Sequence, residues 1–325
     1  MAARALLIGI DDYYEVSSLK GPKADVLDIK NWLTGQSVVV EELVSESGKD
    51  VFSATPRTGD VEDWLDKLAG EVAKVKKANG GVEPDFPLGD RLYIFYAGHG
   101  YDAYTSGPTG IFPRTRVDNW DVLPFGPLER CLKNLAYFRE IVIIVDACRE
   151  LIDYSYDPTW KRRPTANPNS IHVQVLVLNA ADSSQKTQEL DFGGGKIRGV
   201  LSQAFLNGVK GLAAEGGDVT ATRLKEYVVN AVRDKLPKAN PKIEIPNDPM
   251  VVATAPTINP KIEITCSAGS AGNAVLRRNA GGENPITLQE GKNTFEVPLG
   301  AYTLVLPNGT EKPVNAIWEV NLVEV

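Results

Sequence analysis

Short apolar runs alternate with segments of helical periodicity along residues 1–250. Runs of about five or six apolar residues, the first at residues 5–10, predict strands that are buried on both faces. Apolar residues spaced by three and four predict amphipathic helices, the longest over residues 59–78, with inward side chains at Trp64, Leu68, Val72 and Val75. This alternation predicts an α/β fold in which helices cover both faces of a mostly parallel sheet, a three-layer α/β/α sandwich.

The pattern changes near residue 255, where helical periodicity stops. Alternating apolar and polar residues at 261–265, 293–297 and 302–306 are separated by turn sequences such as Pro307-Asn308-Gly309. Such short strands predict a small all-β sandwich. The 325 residues are enough for one large and one small domain, so we expect domains at 1–250 and 251–325.

Two stretches lack a clear period and are expected to be loops. The first, residues 101–127, is rich in glycine and proline, and the second covers residues 150–170. A loop as long as the second, inside a compact domain, is often functional. It contains the basic cluster Lys161-Arg162-Arg163.

The amino-acid composition limits the classes of molecule that the protein is expected to bind. The net charge of −7 argues against nucleic acid or anionic lipid as a partner. Three widely spaced cysteines favour free thiols in a reducing compartment. The apolar run near the start is too short for a signal peptide or a spanning helix. We therefore expect a cytoplasmic protein that neither enters a membrane nor binds nucleic acid.

The candidate chemistry lies at the ends of two apolar strands. One of only two histidines, His99, follows the apolar run 91–97, and Cys148 follows the run 141–145, 49 positions later (148 − 99). Ligands of open parallel sheets bind beyond the carboxyl ends of the strands, so both side chains are expected to face one cleft. A thiolate with a nearby imidazole can attack an amide carbonyl. The N–H groups of Gly100 and Cys148 are the predicted oxyanion donors.

Four motifs occur in the order found in the caspase and metacaspase superfamily, which the chain resembles over about residues 3–250. They are Ala-Leu-Leu-Ile-Gly-Ile at 5–10, Leu-Lys-Gly at 19–21 with Asp25, Phe-Tyr-Ala-Gly-His-Gly at 95–100 and Val-Asp-Ala-Cys-Arg at 145–149. The resemblance implies a caspase-like prokaryotic cysteine peptidase with His99 and Cys148 as catalytic residues and a protein or peptide as substrate.

The resemblance also suggests the specificity. Relatives that cleave after aspartate carry an arginine just before the glycine of the first helix loop, whereas Lys20 precedes Gly21 here. Metacaspase-like relatives carry an acidic pair that matches Asp25 and Asp146. Two carboxylates can hold a guanidinium through forked hydrogen bonds, so we expect cleavage after arginine, with lysine second. Asp182 or Ser183 is expected to complete this pocket.

No metal or cofactor is expected. The acidic run after the histidine that supports calcium dependence in some relatives is replaced by Tyr-Thr-Ser-Gly-Pro-Thr-Gly at 104–110, so a required calcium ion is not predicted. The cysteines and histidines lack the spacing of zinc ligands. Gly-Gly-Gly-Lys at 193–196 lacks the serine or threonine and the earlier glycine of a phosphate-binding loop.

The loop at 150–170 also predicts how the chain is activated. Flexible loops are where chains are nicked, so cleavage near Arg162 or Arg163, by this enzyme or by an upstream protease, is expected to activate a zymogen. The resemblance further suggests a role in antiviral defence or regulated cell death.

Two other functional classes compete with the peptidase. One is a catalytically silent caspase-like scaffold that binds peptide or protein partners, although such a scaffold has no chemical need for both His99 and Cys148. The other is a flavodoxin-like binding module, but acidic residues follow the first strand where a phosphate would need hydrogen-bond donors.

Overall fold

The computed structural model describes residues 2–46, 48, 50, 53–103, 106–116, 118–148, 150–151, 158, 160–182, 187–267 and 269–325. The elements up to residue 207 are β1 (Ala3–Gly9), α1 (Pro22–Gly35), β2 (Val39–Val44), α2 (Thr58–Ala78), β3 (Gly89–Ala97), β4 (Gly100–Ala103), β5 (Gly107–Ile111), β6 (Val122–Pro124), α3 (Phe125–Leu135), β7 (Phe138–Asp146), β8 (Glu150–Leu151), β9 (Gln174–Asn179), β10 (Glu189–Asp191), β11 (Ile197–Gly199) and α4 (Val200–Asn207). A 3-10 turn, Pro168–His172, precedes β9.

The remaining elements begin with a π-helical turn at Gly208–Leu212 that extends α4. They continue as β12 (Asp218–Thr220), α5 (Ala221–Lys235), β13 (Lys242–Glu244), β14 (Val251–Thr254), β15 (Lys261–Cys266), β16 (Gly272–Arg278), β17 (Glu283–Leu288), β18 (Gly291–Glu296), β19 (Gly300–Val305), β20 (Glu311–Ala316) and β21 (Val320–Glu324).

Six strands form the central sheet in the order β13-β9-β7-β3-β1-β2. All neighbouring pairs are parallel except the edge pair of β13 and β9, which is antiparallel. The predicted mostly parallel sheet is therefore confirmed.

Alternate residues of the buried strands face the two helical layers. On β3, Leu92, Ile94 and Tyr96 join a core cluster with residues of α2 and α3. The intervening Tyr93 faces the other layer, where its ring packs edge-on against Trp32 of α1. Trp32 also packs against Phe205 of α4, so helices cover both faces of the sheet and the three-layer prediction is confirmed.

The segment predicted as a loop at 101–127 contains three short strands, so that prediction is wrong. β4, β5 and β6, together with β8, form a four-stranded sheet in the order β6-β5-β4-β8. Glycine and proline weaken the strand pattern in this segment, since Gly107 and Pro108 open β5 and Pro124 closes β6. Pairing between strands, rather than the local sequence propensity, therefore determines the structure of this segment.

The C-terminal residues form two further sheets, β18-β15-β21 and β17-β16-β19-β20. Both contribute to one apolar core, with Ile262 and Ile264 from the first sheet and Leu276 and Leu304 from the second. A core shared by two sheets is the arrangement of a β-sandwich.

The chain divides into two compact units, but not at a single point. One unit comprises residues 1–206 and 238–250, and the other comprises residues 207–237 and 251–325. Helix α5 thus belongs to the unit that contains the β-sandwich. The expected domain boundary at residue 250 stays a prediction. No helix among the described residues is both long enough and apolar enough to cross a bilayer.

Helix α2 provides a test of the core. Leu65 is fully buried between the helix and the sheet, so we expect Leu65→Ala to lower the free energy of unfolding by about 2–4 kcal/mol in urea denaturation. The control is Lys74→Ala on the exposed face of α2, which should change that free energy by less than about 0.5 kcal/mol. Equal effects of the two substitutions would contradict this packing.

Candidate active site

The register of β3 and β7 brings the two reactive side chains, His99 and Cys148, to the same edge of the sheet. Ala97 pairs with Asp146 at the carboxyl ends of these neighbouring parallel strands, and the Gly98 N–H donates a hydrogen bond of 3.3 Å to the Asp146 carbonyl. His99 and Cys148 each follow this pair by two residues. Both therefore leave the sheet at the same edge, as the strand-end argument predicts.

Glycines allow the histidine turn to pack tightly. A Cβ at Gly98 would lie 2.5 Å from the Tyr13 hydroxyl, and one at Gly100 would lie 2.8 Å from the Ala147 Cβ. Neither position can hold a larger residue without movement of its neighbours. Gly100, the predicted oxyanion donor, therefore lies against the segment that carries Cys148.

Three groups orient His99. Its backbone N–H donates to the Tyr13 hydroxyl at 2.6 Å, and its carbonyl lies 2.6 Å from the Tyr96 hydroxyl. Its ring Nε2 lies 2.8 Å from the Ser17 carbonyl. Because a carbonyl oxygen can only accept, this bond assigns the proton to Nε2 and leaves Nδ1 as the basic nitrogen.

His99 and Cys148 line one cleft of about 140 Å³, together with Asp25, Asp146, Thr187 and Glu189. The Cys148 thiol is half-buried and donates to the Thr187 carbonyl at 3.5 Å. The cleft thus combines a thiol, an imidazole and three carboxyl groups.

Two of these carboxyl groups are almost completely buried, with Asp25 1% and Asp146 5% exposed. The Gly199 N–H donates to Asp25 Oδ2 at 3.0 Å, while the backbone N–H and hydroxyl of Ser202 donate to Asp146 Oδ2 at 2.8 and 2.7 Å. A Cβ at Gly199 would overlap Asp146 Oδ2 and lie 3.1 Å from Asp25 Oδ2. The absence of a side chain at Gly199 therefore lets the two carboxyl groups approach the same point.

Burial makes this acidic pair unfavourable when both groups are ionised. It raises the pKa of Asp146 to about 6, against hydrogen bonds from Ser202 that lower it. The pKa of Asp25 is raised well above its usual value, first by burial and then by the charge of Asp146. Asp25 Oδ1 is buried without a hydrogen-bond partner among the described residues, although Arg198 Nε lies 3.8 Å from it and lowers the pKa of Asp25. A cationic donor in the cleft would supply the hydrogen bond that this longer ion pair does not provide.

The family comparison agrees with this geometry, because the family model for the caspase domain matches residues 2–249. The chain belongs to the caspase domain family. A probable protease from a Desulfuromonadales bacterium is 26% identical over an alignment of 234 positions that covers 64% of this chain and 26% of the relative. The chain thus spans about a quarter of that relative's length. The crystal structure of caspase-1 from Spodoptera frugiperda matches with a TM-score of 0.50 and 11% identity, covering 78% of this chain and 90% of that chain.

The structural match confirms the caspase-like fold. The resemblance drawn from the four sequence motifs is therefore confirmed. Its finer implications, including the roles of individual residues, remain predictions.

The sequence interpretation missed Glu189 of the caspase domain. Its carboxylate lines the cleft and accepts hydrogen bonds from the Gly21 N–H at 2.7 Å and from the Lys20 N–H at 3.1 Å. The residue begins β10, outside the four sequence motifs. Nothing in its local sequence marks it, because its partners are 168 and 169 positions away.

The other predicted pocket residues do not join the described cleft. The Asp182 carboxylate lies 3.4 Å from Asn240 Nδ2 and does not line the cleft. Ser183 lies outside the described residues. Asp182 lies three residues beyond the end of β9, where no strand pattern in the sequence fixes the direction of a side chain.

The predicted processing residues differ in their surroundings. Arg162 forms an ion pair of 2.5 Å with Asp66 of α2, and the nearby Trp160 is buried in the core. Arg163 is exposed. Among the described residues, no group of three or more histidine, cysteine, aspartate or glutamate side chains is arranged to hold a metal ion.

The buried acidic pair should reduce stability at neutral pH. The folded-state pKa of Asp146 is above its unfolded value, so protonation favours the folded state, and this stabilisation is lost as pH rises from about 4 through about 6. We expect Asp146→Asn, which can still accept from Ser202, to raise the free energy of unfolding at pH 8 by on the order of 2 kcal/mol.

Urea denaturation between pH 4 and pH 8 measures this gain, which should shrink as pH falls below about 6. Asp66→Asn on the surface of α2 is the matched control and should show no comparable gain. A gain from Asp146→Asn that is independent of pH would contradict the shifted pKa.

Proposed function

We propose that this caspase domain is a cysteine endopeptidase that uses His99 and Cys148 as a catalytic dyad. The observation that carries the proposal is that both side chains line one cleft with the buried acidic pair Asp25 and Asp146. The Nε2 bond to the Ser17 carbonyl supports it further, since it keeps Nδ1 available for proton transfer.

The reaction follows from these groups. The Cys148 thiol transfers its proton to His99, and the thiolate forms a C–S bond with the substrate carbonyl carbon. The N–H groups of Gly100 and Cys148 are the proposed donors to the oxyanion, at about 3 kcal/mol for each donor. His99 then gives the proton to the departing amine as the C–N bond breaks. Water, deprotonated by His99, hydrolyses the thioester and restores the thiol.

We propose specificity for arginine, with lysine second, at the residue before the cleaved bond. A guanidinium entering the cleft would provide donors for Asp25 Oδ1, which has no hydrogen-bond partner among the described residues. It would also neutralise two carboxyl groups that repel each other. Arginine presents a planar fork of donors, whereas lysine presents a single ammonium, so the pair favours arginine. Glu189 adds a third negative charge to the cleft.

We propose proteolytic activation after Arg162 rather than after Arg163. The bond after Arg163 leads into Pro164, whose ring nitrogen has no N–H and hinders attack by a peptidase. The Arg162 side chain is partly exposed, and release of its ion pair with Asp66 would free it for the specificity pocket of an activating protease. The activating protease would be a second copy of this chain or an upstream enzyme of the same specificity. The resemblance to caspases and metacaspases carries the further proposal of a role in bacterial defence or regulated cell death.

Peptide substrates test the activity. Among fluorogenic peptides ending in arginine, lysine or aspartate, the arginine peptide should be cleaved fastest and the lysine peptide more slowly. No measurable cleavage is expected after aspartate. Cys148→Ala should abolish turnover because no nucleophile remains, whereas Cys266→Ala, which removes a buried thiol of the β-sandwich core, should retain it. Turnover after aspartate would contradict the pocket, and no turnover in any preparation would favour the silent scaffold.

Mass spectrometry tests the activation. During incubation the chain should be cut after Arg162, and the rate of peptide cleavage should rise with the fraction of cut chains. Arg162→Gln should prevent both changes, whereas Arg163→Gln, which leaves Arg162 in place before the cleaved bond, should not. Full activity in chains whose intact mass shows no cut would rule out this activation step.

A further inference from the structure

A second cavity, of about 410 Å³, lies apart from the acidic cleft in the unit that contains the central sheet. Its walls include Arg130 and Cys131 of α3 and the segment that carries Trp160, Arg162 and Arg163. The two cavities share none of their lining residues. The volume lies within the range of about 300–1,000 Å³ that is typical of small-molecule sites.

The walls of this cavity are strongly basic, although the chain as a whole carries a net charge of −7. Three guanidinium groups line it, and its described lining residues include no aspartate or glutamate. Arg162 pairs with Asp66 outside the lining, while Arg130 and Arg163 form no ion pair with a carboxylate of the described residues. Two guanidinium groups at one cavity are therefore not held in an ion pair by the described part of the chain, although Arg130 interacts with the charge of Glu129, its neighbour on α3.

A buried donor at the same cavity points independently to a ligand. Trp160 is 5% exposed, and its indole Nε1 is buried without an oxygen or nitrogen acceptor among the described residues. The neighbouring group is the Cys131 thiol, whose sulfur is a weak acceptor. An oxygen of a bound molecule would be a better acceptor than this sulfur.

We propose that this cavity binds a small molecule that carries at least two negative charges on phosphate groups. Guanidinium groups bind phosphate oxygens through paired, charge-assisted hydrogen bonds, and three of them match the charge of a diphosphate better than that of a single carboxylate. Arg130 and Arg163 supply the principal contacts, with Arg162 shared between the ligand and Asp66.

Occupation of the cavity would also restrain the segment that contains Arg162 and Arg163. A ligand that contacts both this segment and α3 holds the two together, which withdraws the peptide bonds after Lys161 and Arg162 from a protease. The cavity thus offers a means by which a phosphorylated molecule controls cleavage of the chain. Binding itself does not depend on the proposed peptidase activity.

Calorimetric titration of the full-length Cys148→Ala chain with sodium pyrophosphate tests the proposal, at constant ionic strength and without divalent cations. One pyrophosphate should bind per chain. Arg130→Gln and Arg163→Gln should each weaken binding by about 10-fold or more, because each removes a charge-assisted contact. Lys161→Gln, which removes an exposed charge of the same segment that does not line the cavity, should weaken it by less than about twofold.

Protection from trypsin is the second measurement. Pyrophosphate should slow cleavage after Lys161 and Arg162 in the Cys148→Ala chain, but not when Arg130 is also replaced by glutamine. Failure of pyrophosphate to bind at millimolar concentration would overturn the proposal. Equal weakening by Lys161→Gln, or unchanged binding in Arg130→Gln, would also overturn it, and equally tight binding of citrate would overturn the assignment to phosphate. Because the nucleophile is absent, a loss of the proposed peptidase activity cannot produce any of these results.

Discussion

The parallel pairing of β3 with β7 is the constraint on which the site depends. It sets Ala97 beside Asp146, so the residues that follow, His99 and Cys148, emerge at one edge although 48 residues separate them in the chain. The same register brings Asp146, at the end of β7, into the cleft that Asp25 of α1 also lines. A change in register of one residue would exchange the faces of the strand and separate all of these groups.

The acidic pair of Asp25 and Asp146 shows how groups that suit a binding site can lower the stability of the folded chain. Burial raises the pKa of both Asp25 and Asp146, and Asp25 Oδ1 is left without a hydrogen bond in the described part of the chain, with the Arg198 guanidinium 3.8 Å away. A fold optimised for stability alone would replace these groups with apolar ones or satisfy their hydrogen bonds. The unfavourable interaction is localised where a cationic side chain of the substrate is proposed to enter, so the folded chain is prepared for that charge before binding.

The sequence was informative where the strands are apolar and the motifs lie at their ends. The order of helices and strands, the parallel sheet and the placement of His99 and Cys148 in one cleft all follow from that pattern. It was uninformative where structure depends on distant partners. The strands β4 to β6 are held by pairing across glycine-rich sequence, and Glu189 reaches the cleft through hydrogen bonds to Lys20 and Gly21. The aromatic and basic residues at 160–163 form a cavity only together with α3, and this proximity is not visible in their local sequence.

The chain passes between its two compact units three times, after residues 206, 237 and 250. β13, the antiparallel edge strand of the central sheet, comes only after α5, which belongs to the other unit. During synthesis the central sheet therefore cannot be completed until about 40 residues beyond α4 have left the ribosome, since an edge strand must be available before it can pair. A gene truncated before β13 would yield a sheet whose β9 has an unpaired edge, and such edges are prone to aggregation. Attempts to separate the two units by shortening the chain must respect this interleaving.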